Sequence, residues 1–435
     1  MTTDQSTHPA RRRTRLGLRT LAMLAWRNLW RNRRRTTITM GMVSVGFALA
    51  VVSIGIGDGA HNGMIRNGIR MGDGHITLLA EGYLQDPANH RYIHDGDALG
   101  DLPTLRVLRE TGAARIAPRV TLQALVSSSY HSVGVGLQGI DIVQDPLVEI
   151  IGAQLQQGAW LQPDDAKGVV LGSGVAERLK LRIGSKVVLR AGGAHGEAIE
   201  RLGRVRGIFH TGLDSLDDFV MVSGLDFTRA LLPGDGARAR ALTRLAVFLD
   251  DPEQTSPVLE ALRGGELPTG VRAHSWQEMM PELVNFIILD DFGNYIWLMI
   301  LGIVVVFGIL NTMLMSVLDR VREFGLVRAL GLRPMEMLRL VLVETVLLAV
   351  LATTVGWILG ALGHWYLAAE GLDLSALGEE GLSTVGVMMD PILRSELSMG
   401  RIVWLTVLCL LTTLLSGLYP AWRASRVSPI MALRH

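Results

Sequence analysis

Four apolar stretches limit what this 435-residue chain can fold into: Thr37 to Ile56, Tyr295 to Leu318, Leu338 to about Gly363, and Ile402 to Leu418, the last being the shortest. About 20 consecutive apolar residues suffice for a helix to cross the roughly 30 Å hydrocarbon core of a bilayer. A helix is also the simplest way to satisfy the backbone there, because every N–H and C=O finds its partner inside the segment. Between the first stretch and the second, chiefly Gly57 to Leu289, the sequence reads as a soluble domain. The pattern predicts an α-helical membrane protein with four transmembrane helices and a large α+β domain inserted between helices 1 and 2.

Charge sets the expected orientation. The loop between the second and third stretches carries Arg320, Arg322, Glu323, Arg328, Arg333 and Arg339, and the first 36 residues hold ten arginines against one acid. Trp365 to Ser398 instead holds six carboxylates (Glu370, Asp373, Glu379, Glu380, Asp390, Glu396) and a single arginine, Arg394. Arginine-rich short loops stay in the cytoplasm. Both termini and the Arg320 loop are therefore expected inside, the large domain and the acidic loop outside. Beyond a basic tail at residues 1–16, Leu18, Leu21, Leu24, Ala25, Asn28 and Leu29 recur at three- and four-residue steps. Trp26 and Trp30 lie on an adjoining stripe, and Arg27, Arg31, Arg33, Arg34 and Arg35 follow. This pattern predicts a helix lying in the cytoplasmic interface with its apolar face in the acyl boundary. The first stretch has full span length and no small-residue cleavage site behind it, so it is read as an uncleaved signal anchor. Cys409, the sole cysteine, leaves no intrachain disulfide.

The inserted domain reads in three parts. Strand, helix and strand are expected at His75 to Leu79, Leu102 to Thr111, and a β-rich run from Ala114 through Ile140. Short strands around one short helix follow in Glu149 to Leu225, and strand, helix, strand returns at Leu242 to Leu249, Pro257 to Arg263 and Val271 to Trp276. The glycine-rich stretch from Ile54 to Ile76 is expected to continue the first helix as a loosened stalk; no strand precedes it and no Gly-Lys-Ser/Thr follows, which argues against a phosphate loop.

No catalytic constellation stands out. The three lysines follow Ala166, Leu179 and Ser185, so none completes Gly-x-x-x-x-Gly-Lys-Ser/Thr. There is no His-Glu-x-x-His, and Gly172-Ser-Gly lacks the spacing of a nucleophile elbow. His90 and His94 are four apart, as metal ligands on one helix face are, but a polar loop near Pro87 is the favoured reading, and no metal is expected. Within the apolar stretches, Glu344 is expected to snorkel or to pair with a nearby arginine such as Arg339, Asn311 to hydrogen-bond across helices, and Gly356 with Gly360 to allow close helix packing.

Two motifs carry a family resemblance. Arg-Glu-Phe-Gly-x-x-Arg-Ala-x-Gly (Arg322 to Gly331), preceded by Asn311 and followed by Glu344, resembles the cytoplasmic coupling segment of FtsX-like ABC transporter permeases, the group of MacB, LolC and LolE. Tyr-Pro-Ala-x-Arg-Ala-x-x-x-x-Pro (Tyr419 to Pro429), ending in Ala432-Leu433-Arg434, is similar to that family's C-terminus. The resemblance implies porter-like halves at 75–145 and 240–285 around a sabre-like insertion at 146–235, within a periplasmic domain spanning 58–290. It further implies spans at 37–57, 291–318, 338–364 and 401–422, a coupling segment at 319–337, a periplasmic loop at 365–400 and a cytoplasmic tail at 423–435. A bacterial inner-membrane location follows. Arg320, Arg322, Glu323, Phe324, Gly325, Arg328, Ala329 and Gly331 are the implied contacts to a cytoplasmic ABC ATPase, with Phe324-Gly325 read as an exposed turn. ATP and Mg would be bound by that ATPase and no cofactor by this chain. The other implied partners are a second permease copy or paralogue, membrane lipids, and a periplasmic carrier or adaptor; nucleic acid is not among them. Lipoprotein release by mechanotransmission is the leading implied function, with acyl chains against Phe286, Ile287, Phe292, Tyr295, Ile296 and Met299. Efflux through an adaptor and an outer-membrane duct, or regulation of a cell-wall hydrolase, are the alternatives.

Overall fold

The computed structural model describes residues 17–193, 198–233, 237–329, 332–374, 383–384, 387–388 and 392–426. The basic tail, Gly331, the carboxylates Glu379, Glu380 and Asp390, and the C-terminal motif beyond Arg426 lie outside the described residues. The chain divides into two compact units. A helical unit comprises Met1–Gly59, Asp290–Leu372 and Leu393–His435, and a second unit comprises Ala60–Leu289 and Asp373–Ile392.

The helical unit begins with an elbow helix, Leu18–Arg31, which breaks at Asn32. Among the described residues, four helices long and apolar enough to cross a membrane follow: Arg33–Met71, Pro281–Asp319, Pro334–Ala369 and Met399–Ser425. The first two have 39 residues each, about 58 Å at 1.5 Å per residue, and so outrun the hydrocarbon core. The first is unbroken to Met71, despite glycines that each cost about 1 kcal/mol relative to alanine. Burial offsets that cost: Ile69 packs with Ala117, Ala246 and Phe248 inside the second unit.

Small residues set the packing of the spans. A Cβ on Gly356 would lie 3.0 Å from the Ser44 carbonyl oxygen and from the Phe47 ring, and one on Gly360 would lie 3.0 Å from Val51. The third span therefore seats directly on the first, and Ser44 Oγ donates to Ala352 O at 2.8 Å. The elbow helix departs from the sequence expectation. Leu21, Ala25 and Leu29 are buried, with Leu29 among Val43, Ile309, Met313 and Leu348, so the stripe assigned to the acyl boundary packs on protein. Leu24 of that stripe is exposed, and with Met23, Trp26 and Trp30 it forms the outward apolar face. The sequence shows two apolar stripes and cannot say which one meets a partner.

The second unit is built on one sheet of ten strands: β1 Ile76–Ala80, β2 Ala114–Ser127, β3 Ser132–Ile140, β4 Leu155–Gly158, β5 Gly168–Gly172, β6 Lys186–Gly192, β7 Ala198–Phe209, β8 Val220–Gly224, β9 Arg244–Leu249 and β10 Val271–Ser275. Their order is β10-β1-β9-β2-β3-β8-β5-β7-β4, with β6 pairing β2 and β7. Alternation assigns the faces: Leu245, Val247 and Leu249 of β9 enter the main core beneath helices Pro103–Glu110 and Thr255–Ala261, while Ala246 and Phe248 face Ile69. Strand pairing cuts across the three-part sequence reading. Residues 114–119 of β2 pair with β9, whereas residues 120–127 pair with β3 and 124–127 also with β6, so β2 runs through both halves. β3 then pairs in parallel with β8, joining residues of the first part to the middle one.

Within the second unit, a buried joint fixes the turn after Met71 to this sheet. Arg119 of β2 donates from Nε and Nη2 to Asp145 at 2.7 and 2.6 Å, and from Nη1 to the carbonyl of Gly72. The two side chains are 4% and 0% exposed. Asp145 also caps helix Pro146–Ala153 through Leu147 N, and Arg244 of β9 pairs with Asp73.

Candidate functional site

The loop between the second and third spans folds as a helix, Val321–Ala329. Arg320 makes the corner before it: its N–H donates to Val317 O, and its carbonyl accepts from Phe324 N. The third-span helix restarts at Pro334, where proline suits a first helical position and Glu336 reaches back to accept from Arg333 N at 3.2 Å.

The loop helix has an inward and an outward face. Phe324 is only 7% exposed and packs with Val317, Met337, Val341, Ala421 and Ala424. Gly325 is buried beside it. The expected exposed Phe324-Gly325 turn is thus a buried contact, because helical spacing turns Phe324 onto the third and fourth spans. Arg320 is buried as well: Nη2 donates to Asn28 O of the elbow helix at 2.9 Å, and Nη1 lies 3.5 Å from Glu344 Oε2. Glu344 accordingly pairs with Arg320 rather than with Arg339. Arg35 stands beside this pair, bonded to Ser316 and, at 3.3 Å, to Asp319. Arg328 is half-buried and donates to Ser425 O at 3.4 Å.

Arg322, Glu323 and Ala329 point outward, together with Leu326, 54% exposed, and Val327, which were not picked out from the sequence. Arg322, Leu326 and Ala329 follow helical spacing, and treating the motif as a helix instead of a turn is the signal that finds Leu326. Glu323 reaches Arg31 of the elbow helix at 2.8 Å, with both side chains about half exposed. Such a pair contributes little stability, on the order of 0–1 kcal/mol. An apolar side chain ringed by charge on a helix fixed from below is a surface suited to another protein.

The six residues expected against acyl chains separate. Phe286 and Ile287 are partly buried and pack with Met64, Leu283 and Val387 in the second unit. Phe292, Tyr295, Ile296 and Met299 are exposed on the second span. A small apolar cavity of about 80 Å³ lies between the first, second and fourth spans, lined by Phe47, Leu298, Leu301 and Leu405 among others. Asn311 is exposed, and it makes no cross-helix hydrogen bond among the described residues.

The second unit brings Ser173, His210 and Asp217 together without the geometry of a relay. Ser173 Oγ at 2.9 Å and Asp217 Oδ2 at 3.0 Å both address His210 Nδ1, whereas a general base must use its two ring nitrogens for two partners. Asp217 also accepts from Thr211 and Gly212, which marks it as a turn anchor. His90 and His94 are exposed on an irregular segment, not on one helix face. No cluster of three metal-ligating His, Cys, Asp or Glu side chains occurs among the described residues.

Comparison with known proteins matches residues 295–429 to the FtsX-like permease C-terminal family and residues 36–264 to the MacB-like periplasmic core domain. The lipoprotein-releasing system transmembrane protein LolE of Haemophilus influenzae is 24% identical over 90% of this chain and 92% of its own length. An uncharacterised ABC transporter permease of Methanocaldococcus jannaschii is 22% identical over 94% and 96%. The pyoverdine export ATP-binding/permease protein PvdT of Pseudomonas savastanoi is 24% identical over 94% of this chain and 58% of its own length. The chain belongs to the FtsX-like ABC transporter permeases that carry a MacB-like periplasmic core domain.

Proposed function

We propose that this permease couples ATP hydrolysis by a cytoplasmic ABC ATPase to movement of its periplasmic domain, and that the movement releases lipoproteins from the inner membrane. The carrying observation is the loop helix: its outward face of Arg322, Glu323, Leu326 and Ala329 is solvent-facing, while Phe324 and Arg320 lock it to four other helices, the elbow helix and the second, third and fourth spans. A push on that face moves the elbow helix and the spans with it. ATP and Mg belong to the partner, and two permease copies or paralogues complete the assembly with both termini cytoplasmic. Coverage supports the choice of lipoprotein release, since the chain accounts for 92% of the LolE relative but 58% of the PvdT relative. Phe292, Tyr295, Ile296 and Met299 supply an apolar surface on the second span for acyl chains.

The test is purification from native membranes in mild detergent, with mass spectrometry of what accompanies the chain. An ABC ATPase with bound lipoprotein is the expected result. Glu323→Arg with Leu326→Asp should remove the ATPase while the chain still inserts; undiminished co-purification would sink the coupling assignment. An adaptor protein in place of lipoprotein would favour the efflux reading.

A further inference from the structure

At the ends of the spans from which the chain passes into the inserted domain, the helical unit holds a charge cluster that the family motifs do not contain. Arg401, in the first turn of the fourth-span helix, pairs through Nη1 with Asp58 of the first-span helix and, at 3.1 Å through Nη2, with Asp291 of the second. Asp58 is buried, and Arg401 and Asp291 are half-buried. The residues just ahead of Arg401 lie along the same stretch of the first span. Glu396 N donates to Gly55 O at 2.9 Å, and Gly59 abuts the Arg394 carbonyl so closely that no Cβ fits. His364 Nδ1 and Ser395 Oγ, 2.7 Å apart, tie this strap to the third span. Residues 394–401 therefore touch all three other spans.

Sign decides what Arg401 does here. Two carboxylates on different spans share one guanidinium, so its removal takes away attraction and leaves two like charges near each other. A hydrophobic contact of the same area would lose only attraction. We propose that Arg401 is a clasp that holds the first and second spans together at this end, and that its release from one aspartate accompanies their separation. The clasp rests on the transport reading in one respect: separation of these spans is the step that admits a lipid-anchored substrate between them.

Ser53 and Asn294 provide the probe, because Ser53 Oγ donates to Asn294 Oδ1 at 3.3 Å across the same two helices. In full-length Cys409→Ser protein in lipid nanodiscs, Ser53→Cys with Asn294→Cys should cross-link rapidly under mild oxidation. Arg401→Gln should slow that cross-link by about tenfold or more, with Arg401→Lys between the two. Neutralising all three partners (Arg401→Gln, Asp58→Asn, Asp291→Asn) should recover part of the rate, because the repulsion has gone. A control pair, Ser44→Cys with Ala352→Cys, joins the first and third spans and should be unaffected. An unchanged 53–294 rate in Arg401→Gln overturns the clasp, as does a loss shared by both pairs in every variant, Asp291→Asn included. The measurement needs neither ATPase nor substrate, so failure of the transport reading in co-purification and failure of the clasp in cross-linking are separate results.

Discussion

Arg119→Met should loosen the sheet locally and by a large factor. Methionine keeps most of the length of the arginine stem but removes the guanidinium from a site where the partner carboxylate, Asp145, is 0% exposed. Asp145 retains only Leu147 N among the donors described for it, and an ion left without its buried partner costs about 3–5 kcal/mol. Expressed as hydrogen exchange, that is an increase of about two to nearly four powers of ten in the opening of the affected backbone. The readout is exchange mass spectrometry of the full chain in detergent, on peptides covering residues 114–119 of β2 and their partners 244–249 of β9. Arg119→Met with Asp145→Asn removes both charges and should be much less damaging than the sum of the singles. The carbonyl of Gly72 still loses its donor in the double variant, so about 1 kcal/mol of loss should remain. An acceleration below tenfold in Arg119→Met, or additive singles, would refute the reasoning that the pair is a coupled, desolvated joint.

Two further outcomes are expected. His75 is buried, its Nδ1 accepts from Leu249 N at 3.0 Å, and burial pushes its pKa below the usual imidazole range. The unfolded chain then binds more protons than the folded one from about pH 6.5 down to the lowered folded value, so stability falls with acidification in that window. Protection of β1 and β9, corrected for intrinsic exchange, should fall below pH 6.5, and the slope should flatten in His75→Gln; an unchanged slope would remove His75 from the account. Gly356→Leu should lower the thermal midpoint in detergent by forcing the third span off Ser44 and Phe47, at a cost of about 1–3 kcal/mol or more. Gly302→Leu, whose Cβ would meet nothing within 4 Å, serves as the control and should leave the midpoint in place.

The parts legible in the sequence were those governed by local pattern. Apolar windows located the spans, and a short apolar run within Leu242 to Leu249 located a strand. Gly356 and Gly360 announced a close approach four residues apart, although nothing local told that Ser44 and Val51 would fill it. Phe324 shows where such reading stops. Next to glycine and between charges it reads as an exposed knob, and only its contacts with Met337, Val341 and Ala421 turn it inward. Arg320 is a stronger case, since its partner Glu344 is 24 positions away and its acceptor Asn28 is 292 away. Long-range ion pairs carry no periodic signal. β2 was found as part of a β-rich run, but its role in both halves of the sheet depends on β6 and β9 arriving from far along the chain.

Placing the buried charges gives them a common physical logic. Arg320 reaches from the end of the second span to the elbow helix and Glu344; Arg401 reaches to Asp58 and Asp291; Arg119 holds both Asp145 and the carbonyl at Gly72. Stability alone is a weak reason for such arrangements, because desolvation can cancel the Coulombic gain and an apolar replacement is often no worse. What a planar guanidinium with several donors provides is direction: it fixes two partners at once, in one orientation, as a lysine or a methyl group does not. Each of these arginines stands within a turn or so of a helix end or grips one, where a directional contact would resist slipping if, as proposed, the helix moved as a lever. A leucine at the same sites would permit sliding and rotation at little cost. The positions of the buried arginines thus fit a chain that uses stiff helices to carry movement, with directional joints where the helices meet other elements.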